Sequence, residues 1–133
     1  MKQPTESQIQ QAFFDYVNIR KQESGNSPWH LIVATPNSLG GSKNPAVQKS
    51  QWIRGSIMKK EGASNGFPDI SILVPVKPYP AYFIELKRMY GKLSDYQAEW
   101  LSRLELAGFK AEVIKTDDPE VLISAVRKYL GEI

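Results

Sequence analysis

The feature that most restricts this chain is a pair of β-rich runs set back to back, residues 70–76 (ISILVPV) and 81–87 (AYFIELK). Lys77-Pro78-Tyr79-Pro80 between them reads as a turn, so the pair predicts a hairpin. Helical patterns surround it. Thr5-Glu6-Ser7-Gln8 is a capping box, followed at helical spacing by Ile9, Ala12, Phe13, Tyr16 and Val17. Ser94-Asp95-Tyr96-Gln97 opens a helix through Trp100, Leu101, Leu104 and Ala107, with Gly108 as its C-terminal cap. Asp118-Pro119 starts another through Leu122, Ile123, Val126 and Leu130. Residues 46–61 read as a helix with a less regular apolar pattern, and residues 37–44 as a polar, glycine-bearing loop. Residues 30–35 (HLIVAT) and 111–115 (AEVIK) read as short strands. The order α-β-α-β-β-α-β-α predicts an α/β fold with a mixed sheet, in which residues 81–115 make a right-handed parallel crossover. At 133 residues, with no repeat or linker, one domain over 1–133 is expected.

Composition removes several chemistries. Cysteine is absent, which excludes disulfides, thiolate metal sites and cysteine nucleophiles. His30 is the single histidine, so a histidine zinc cluster or a serine-histidine triad has no support, and His30 reads as structural. No apolar run nears the roughly 18 residues of a membrane span, and the opening Met-Lys-Gln-Pro-Thr-Glu lacks the apolar stretch of a signal peptide. A cytoplasmic protein without a membrane partner is expected.

Charge is concentrated. The chain is +3 overall, yet no acidic residue lies between Glu23 and Glu61, where Lys43, Lys49, Arg54, Lys59 and Lys60 contribute +5. Interleaved with Gly, Ser, Asn and Trp52, such a stretch suits contact with a phosphate backbone; a solvated basic face is the plainer alternative. Trp52 reads as packing at a dimer interface or stacking on a base.

The second run of the hairpin is unusual. Alternation puts Phe83, Glu85 and Lys87 on one face and Tyr82, Ile84 and Leu86 on the other, so two charges stand beside the core. Burying them unpaired costs several kcal/mol, about what a structural role would have to offset. Asp69, after Pro68, opens the first run, and a hairpin would bring it near Glu85 and Lys87. Two adjacent carboxylates repel, and a hard divalent cation such as Mg²⁺ resolves that repulsion. Such a cation activates water and stabilises charge on a phosphate, while Lys87 orients that water or offsets the charge. A surface Glu–Lys pair is the alternative.

Gly66-Phe67-Pro68-Asp69 followed by Ile84-Glu85-Leu86-Lys87 resembles the PD-(D/E)xK nuclease signature, and more narrowly the virus-type replication-repair nuclease domain, VRR-NUC. The resemblance extends over Glu6, Glu61-Gly62, Leu93-Ser94-Asp95-Tyr96-Gln97 before Trp100-Leu101, and Leu106-Ala107-Gly108-Phe109, which is essentially the whole chain. It implies a restriction-endonuclease-like core (α-β-β-β-α-β) with a mixed sheet flanked by helices. It further implies Asp69 and Glu85 as metal carboxylates, the Leu86 backbone carbonyl as a third ligand, and Glu6 near the metal through water. Lys87 becomes the catalytic lysine, and Gln97 supports the lysine or a phosphate, in addition to its place in a capping box. Asn37 matches a polar residue after the first strand, although Thr35-Pro36-Asn37-Ser38-Leu39-Gly40-Gly41 departs from the family pattern.

The implied activity is Mg²⁺-dependent cleavage of DNA, with Mn²⁺ as substitute and no small organic cofactor. Small stand-alone members resembling this chain act as homodimers on four-way junctions, so branched DNA is the implied partner, in a bacterial or phage-infected cell. Lys43, Lys49, Arg54, Lys59, Lys60 and Asn37 are the DNA-contact candidates. The competing readings are a flap or duplex-end nuclease and a catalytically inactive DNA-binding module.

Overall fold

The computed structural model describes residues 2–36, 45–62 and 64–133. In chain order its elements are α1 (Glu6–Lys21), a 3₁₀ turn (Pro28–Leu31), β1 (Ile32–Ala34), α2 (Pro45–Lys60), β2 (Ile70–Ile72), β3 (Tyr82–Lys87), α3 (Asp95–Leu106), β4 (Lys110–Lys115) and α4 (Pro119–Tyr129). They fall into two compact units, one of Met1–Thr35 with Gly66–Ile133 and one of Pro36–Asn65.

The larger unit is an α/β sandwich on a sheet ordered β1-β2-β3-β4. β1 and β2 pair antiparallel, as do β2 and β3, whereas β3 and β4 pair parallel with α3 between them in the chain. The predicted hairpin and parallel crossover are therefore both present. Side-chain alternation along β3 separates two cores. Tyr82, Ile84 and Leu86 pack with Ile9, Phe13 and Val17 of α1 and Leu122, Ile123 and Val126 of α4. On the other face Phe83 packs with Leu101 and Leu104 of α3 and Ala111 of β4. Each large apolar side chain so buried contributes roughly 1.5–3 kcal/mol. Both capping boxes form: Thr5 with Gln8 on α1 and Ser94 with Gln97 on α3.

Two expectations need correction. Residues 30–35 are not all strand: Ser27 accepts the Trp29 N–H at 3.3 Å and Pro28 stands in the first turn, so the chain coils as 3₁₀ and His30 precedes β1. The first run of the hairpin is also shorter than residues 70–76. Pro75 has no N–H for a ladder, and Val76 and Tyr79 exchange both backbone hydrogen bonds at 2.9 Å in a local turn.

The smaller unit contains α2, which ends with Lys59 and Lys60 in its last turn, where cations complement the helix dipole. Gly62, at φ 104°, follows. Lys49, Arg54, Lys59 and Lys60 are exposed, as are Trp52 (74%), Ile53 and Ile57. No helix among the described residues is long and apolar enough to cross a membrane.

Candidate active site

The site grows from the register of the hairpin. Ile70 pairs with Ile84, and one residue further Asp69 stands beside Glu85. The Asp69 carboxylate accepts the Leu86 N–H through Oδ2 at 2.8 Å. A strand residue's N–H and C=O leave on the same edge, so the Leu86 carbonyl lies on the Asp69 side of β3. Thr35 fixes the approach to Asp69: its N–H donates to the Asp69 carbonyl at 2.8 Å and its hydroxyl to the Pro68 carbonyl at 2.6 Å.

Glu85 is 2% exposed and Asp69 9%. Gln97 Nε2 donates to Glu85 Oε1 at 2.7 Å, and Lys87 Nζ lies 3.8 Å from the same oxygen. Glu85 Oε2 is buried without a hydrogen-bond partner among the described residues. Gln97 is itself held, because its Oε1 accepts the Ser94 N–H at 2.9 Å. The capping box thus aims the amide at the Glu85 carboxylate. Gly66 makes it compact. It sits at φ 86°, and a Cβ there would lie 2.5 Å from the Tyr96 carbonyl carbon and 2.7 Å from the Gln97 nitrogen. Only glycine lets the Gly66-Phe67-Pro68-Asp69 turn press on the first turn of α3.

Burial pushes the Glu85 carboxyl up to about 8; the nearby Asp69 charge adds to this and Lys87 opposes it, with Glu6 contributing a smaller upward push. Asp69 is also raised by burial, against the pull of the Leu86 N–H. Glu6, half-buried in the first turn of α1, is thereby placed within electrostatic reach of Glu85. Two crowded carboxylates, an oxygen lacking a donor and a nearby main-chain carbonyl form an all-oxygen donor set. That set suits a hard divalent cation, which takes one or two protein carboxylates and completes its shell with water. Among the described residues no group of three or more His, Cys, Asp and Glu is gathered for a metal.

The structure brings together Asp69, Glu85, Leu86, Lys87 and Gln97, with Glu6 acting at longer range. Asn37 and Lys43 lie outside the described residues. Lys49, Arg54, Lys59 and Lys60 belong to the smaller unit. Sequence reasoning placed Gly66 in the signature but missed its contact with α3. It also missed Asp117, whose Oδ1 accepts the Met89 N–H at 3.3 Å just beyond Lys87. Nothing in the spacing of Asp117 signals that contact.

The VRR-NUC domain model matches residues 6–118, which include every member of this cluster. The chain belongs to the VRR-NUC family. A solved structure described as a "VRR_NUC domain protein" has the same fold, with a TM-score of 0.72 and 21% identity, covering 98% of this chain and 92% of that one. No curated protein matches the sequence. Membership makes this a nuclease-type domain and nucleic acid its class of substrate.

Proposed function

We propose that this VRR-NUC protein is a Mg²⁺-dependent structure-specific DNA endonuclease that acts on branched DNA as a homodimer, resolving four-way junctions by phosphodiester hydrolysis. The observation that carries the catalytic part is Glu85, buried beside Asp69 with Oε2 lacking a donor and Lys87 Nζ 3.8 Å from Oε1. Asp69, Glu85 and the Leu86 carbonyl would hold the cation, and Glu6 would reach it through water. The cation supplies charge neutralisation at the scissile phosphate and lowers the pKa of water. Gln97 keeps Glu85 in its ligating orientation, and Lys87 orients the attacking water or offsets the charge that develops on phosphate. A junction needs two cuts on opposed strands, and a twofold dimer supplies two sites. The exposed Trp52, Ile53 and Ile57 of α2 are the apolar surface we assign to that interface.

The test is incubation of the protein and Mg²⁺ with labelled four-way junction, flap, duplex and single strand. Paired cuts in the junction are expected, with Mn²⁺ substituting and Ca²⁺ supporting binding but little chemistry. Asp69→Ala and Lys87→Ala should abolish cleavage and leave binding nearly intact, since they remove chemistry rather than backbone contacts. Full activity in EDTA, or wild-type turnover of Asp69→Ala, defeats the metal site; flap cleavage without junction cleavage selects the flap nuclease.

A further inference from the structure

The rim of the site carries large apolar side chains that contribute nothing to either core. Tyr90 is 93% exposed, Tyr96 61% and Met89 54%. Their backbones, in contrast, are fixed against the catalytic groups. Residues 88–91 close a turn through the Gly91 N–H to Arg88 carbonyl bond at 2.9 Å. The turn folds back on the end of β3, since a Cβ on Gly91 would lie 3.4 Å from Lys87 Cβ. Asp117 braces it, with Oδ1 3.3 Å from the Met89 nitrogen and 3.5 Å from Arg88 Nε. Tyr96 stands one residue before Gln97, with its carbonyl carbon against Gly66. Two exposed tyrosines therefore stand on the chain that runs from Lys87 to Gln97, Tyr90 three residues after the lysine and Tyr96 next to the glutamine. Lys92 is exposed in the same segment, whereas the charge of Arg88 is offset by Asp117. Exposed aromatic surface next to basic groups matches a nucleobase flanked by phosphates, because every base offers a π-face and such stacking tolerates sequence.

We propose that Tyr90 and Tyr96 form a stacking platform for an unpaired or opened base at the branch point, which places the neighbouring phosphate over the catalytic cluster. This inference rests on the nuclease reading and names what makes the site structure-specific. A fully paired duplex buries its base faces and offers the platform nothing. A branch point exposes them.

The experiment uses a four-way junction and a flap duplex carrying 2-aminopurine at the branch, and a linear duplex with the same base in its interior. Binding is followed in Ca²⁺ and cleavage in Mg²⁺. Wild type should quench the branch fluorophore severalfold and leave the linear one unchanged. In Tyr90→Ala/Tyr96→Ala that quench should disappear, and preference for branched over linear DNA should fall about tenfold. Tyr90→Phe/Tyr96→Phe should retain both, which separates stacking from any role of the hydroxyls. Leu106→Ala, an equally exposed change at the far end of α3, should behave as wild type. Unchanged quench and preference in the double alanine variant overturn the proposal. So does a wild type that cuts branched DNA without quenching. Tyr90→Ala alone, at the more exposed position, gives the same readings should the double variant melt early. Quenching without cleavage upholds the platform while it sinks the nuclease reading; absence of both defeats the two together.

Discussion

Glu85 keeps one oxygen without a hydrogen-bond donor among the described residues at 2% exposure, and burial beside Asp69 raises its carboxyl from an ordinary 4.5 to about 8. The sign of the resulting pH dependence follows from that rise. The folded state holds the Glu85 proton more tightly than the unfolded chain, so this group's contribution to stability is full below about 4.5 and is lost as pH rises through about 8. Without divalent cation, the melting temperature should fall across that window. Mg²⁺ should restore it most at the alkaline end, where the carboxylate is free to ligate. Glu85→Gln should flatten the pH profile, raise the metal-free melting temperature at pH 8 and abolish cleavage. Thermal melts with and without Mg²⁺ check all three. A pH slope that survives in Glu85→Gln would assign the effect to another group.

At the scale of elements, two contacts bind the pieces that carry the site. Gly66 is the point where the turn before β2 meets α3, and alanine there meets both a positive φ and main-chain atoms at 2.5 Å. Gly66→Ala should lose about 2 kcal/mol or more and should push the turn before Asp69 away from the start of α3, lowering turnover even well below the melting temperature. Ser94→Ala removes the α3 cap, a loss of about 1 kcal/mol, yet leaves the Ser94 N–H that holds Gln97. Its turnover should therefore fall less than that of Gly66→Ala, which steady-state kinetics on one substrate would show. Remote from the site, Glu132 joins Arg20 through two hydrogen bonds at 2.7 and 3.0 Å and accepts the Trp29 indole N–H at 3.0 Å. The Arg20 hydrogen bond holds the Glu132 carboxyl below its usual range. That stabilisation is present above the ordinary carboxylate range and is lost as pH falls through it. Glu132→Gln should lower the melting temperature at pH 7 and close the gap to wild type at pH 3.

For the molecule as a whole, we assign the holding of DNA to basic residues outside the catalytic cluster. Lys59 and Lys60 are exposed at the end of α2, available for phosphate contact. Their replacement by Ala should weaken binding to every DNA shape and flatten its salt dependence by about one log–log unit per lost phosphate contact. Trp52 is 74% exposed on the same helix. Trp52→Asp should yield a monomer that nicks junctions without pairing the cuts. Sedimentation of the wild type as a monomer at micromolar concentration, with paired cutting intact, would remove the dimer from the mechanism.

Much of this protein is a property of local sequence. The two capping boxes, the Asp118-Pro119 start of α4 and the alternation of β3 are interactions between residues close in the chain, and each appears as its pattern predicts. The hairpin followed from one short connection, and it alone brings Asp69 to Glu85. The parallel partner of β3 was legible because a single helix separates it from β4. Local pattern was weaker where competing signals met: the Ser27-Pro28 cap overrode the β-rich residues 30 and 31, and Pro75 cut short a run that looked like seven strand residues. Tertiary structure alone decided the rest. The buried carboxyl held up near 8, the orphan oxygen, the pressure of Gly66 on α3, and Asp117 under the Arg88 turn all depend on atoms far apart in sequence. Burial and hydrogen-bond geometry are sums over neighbours from several elements, and no window of the chain contains them.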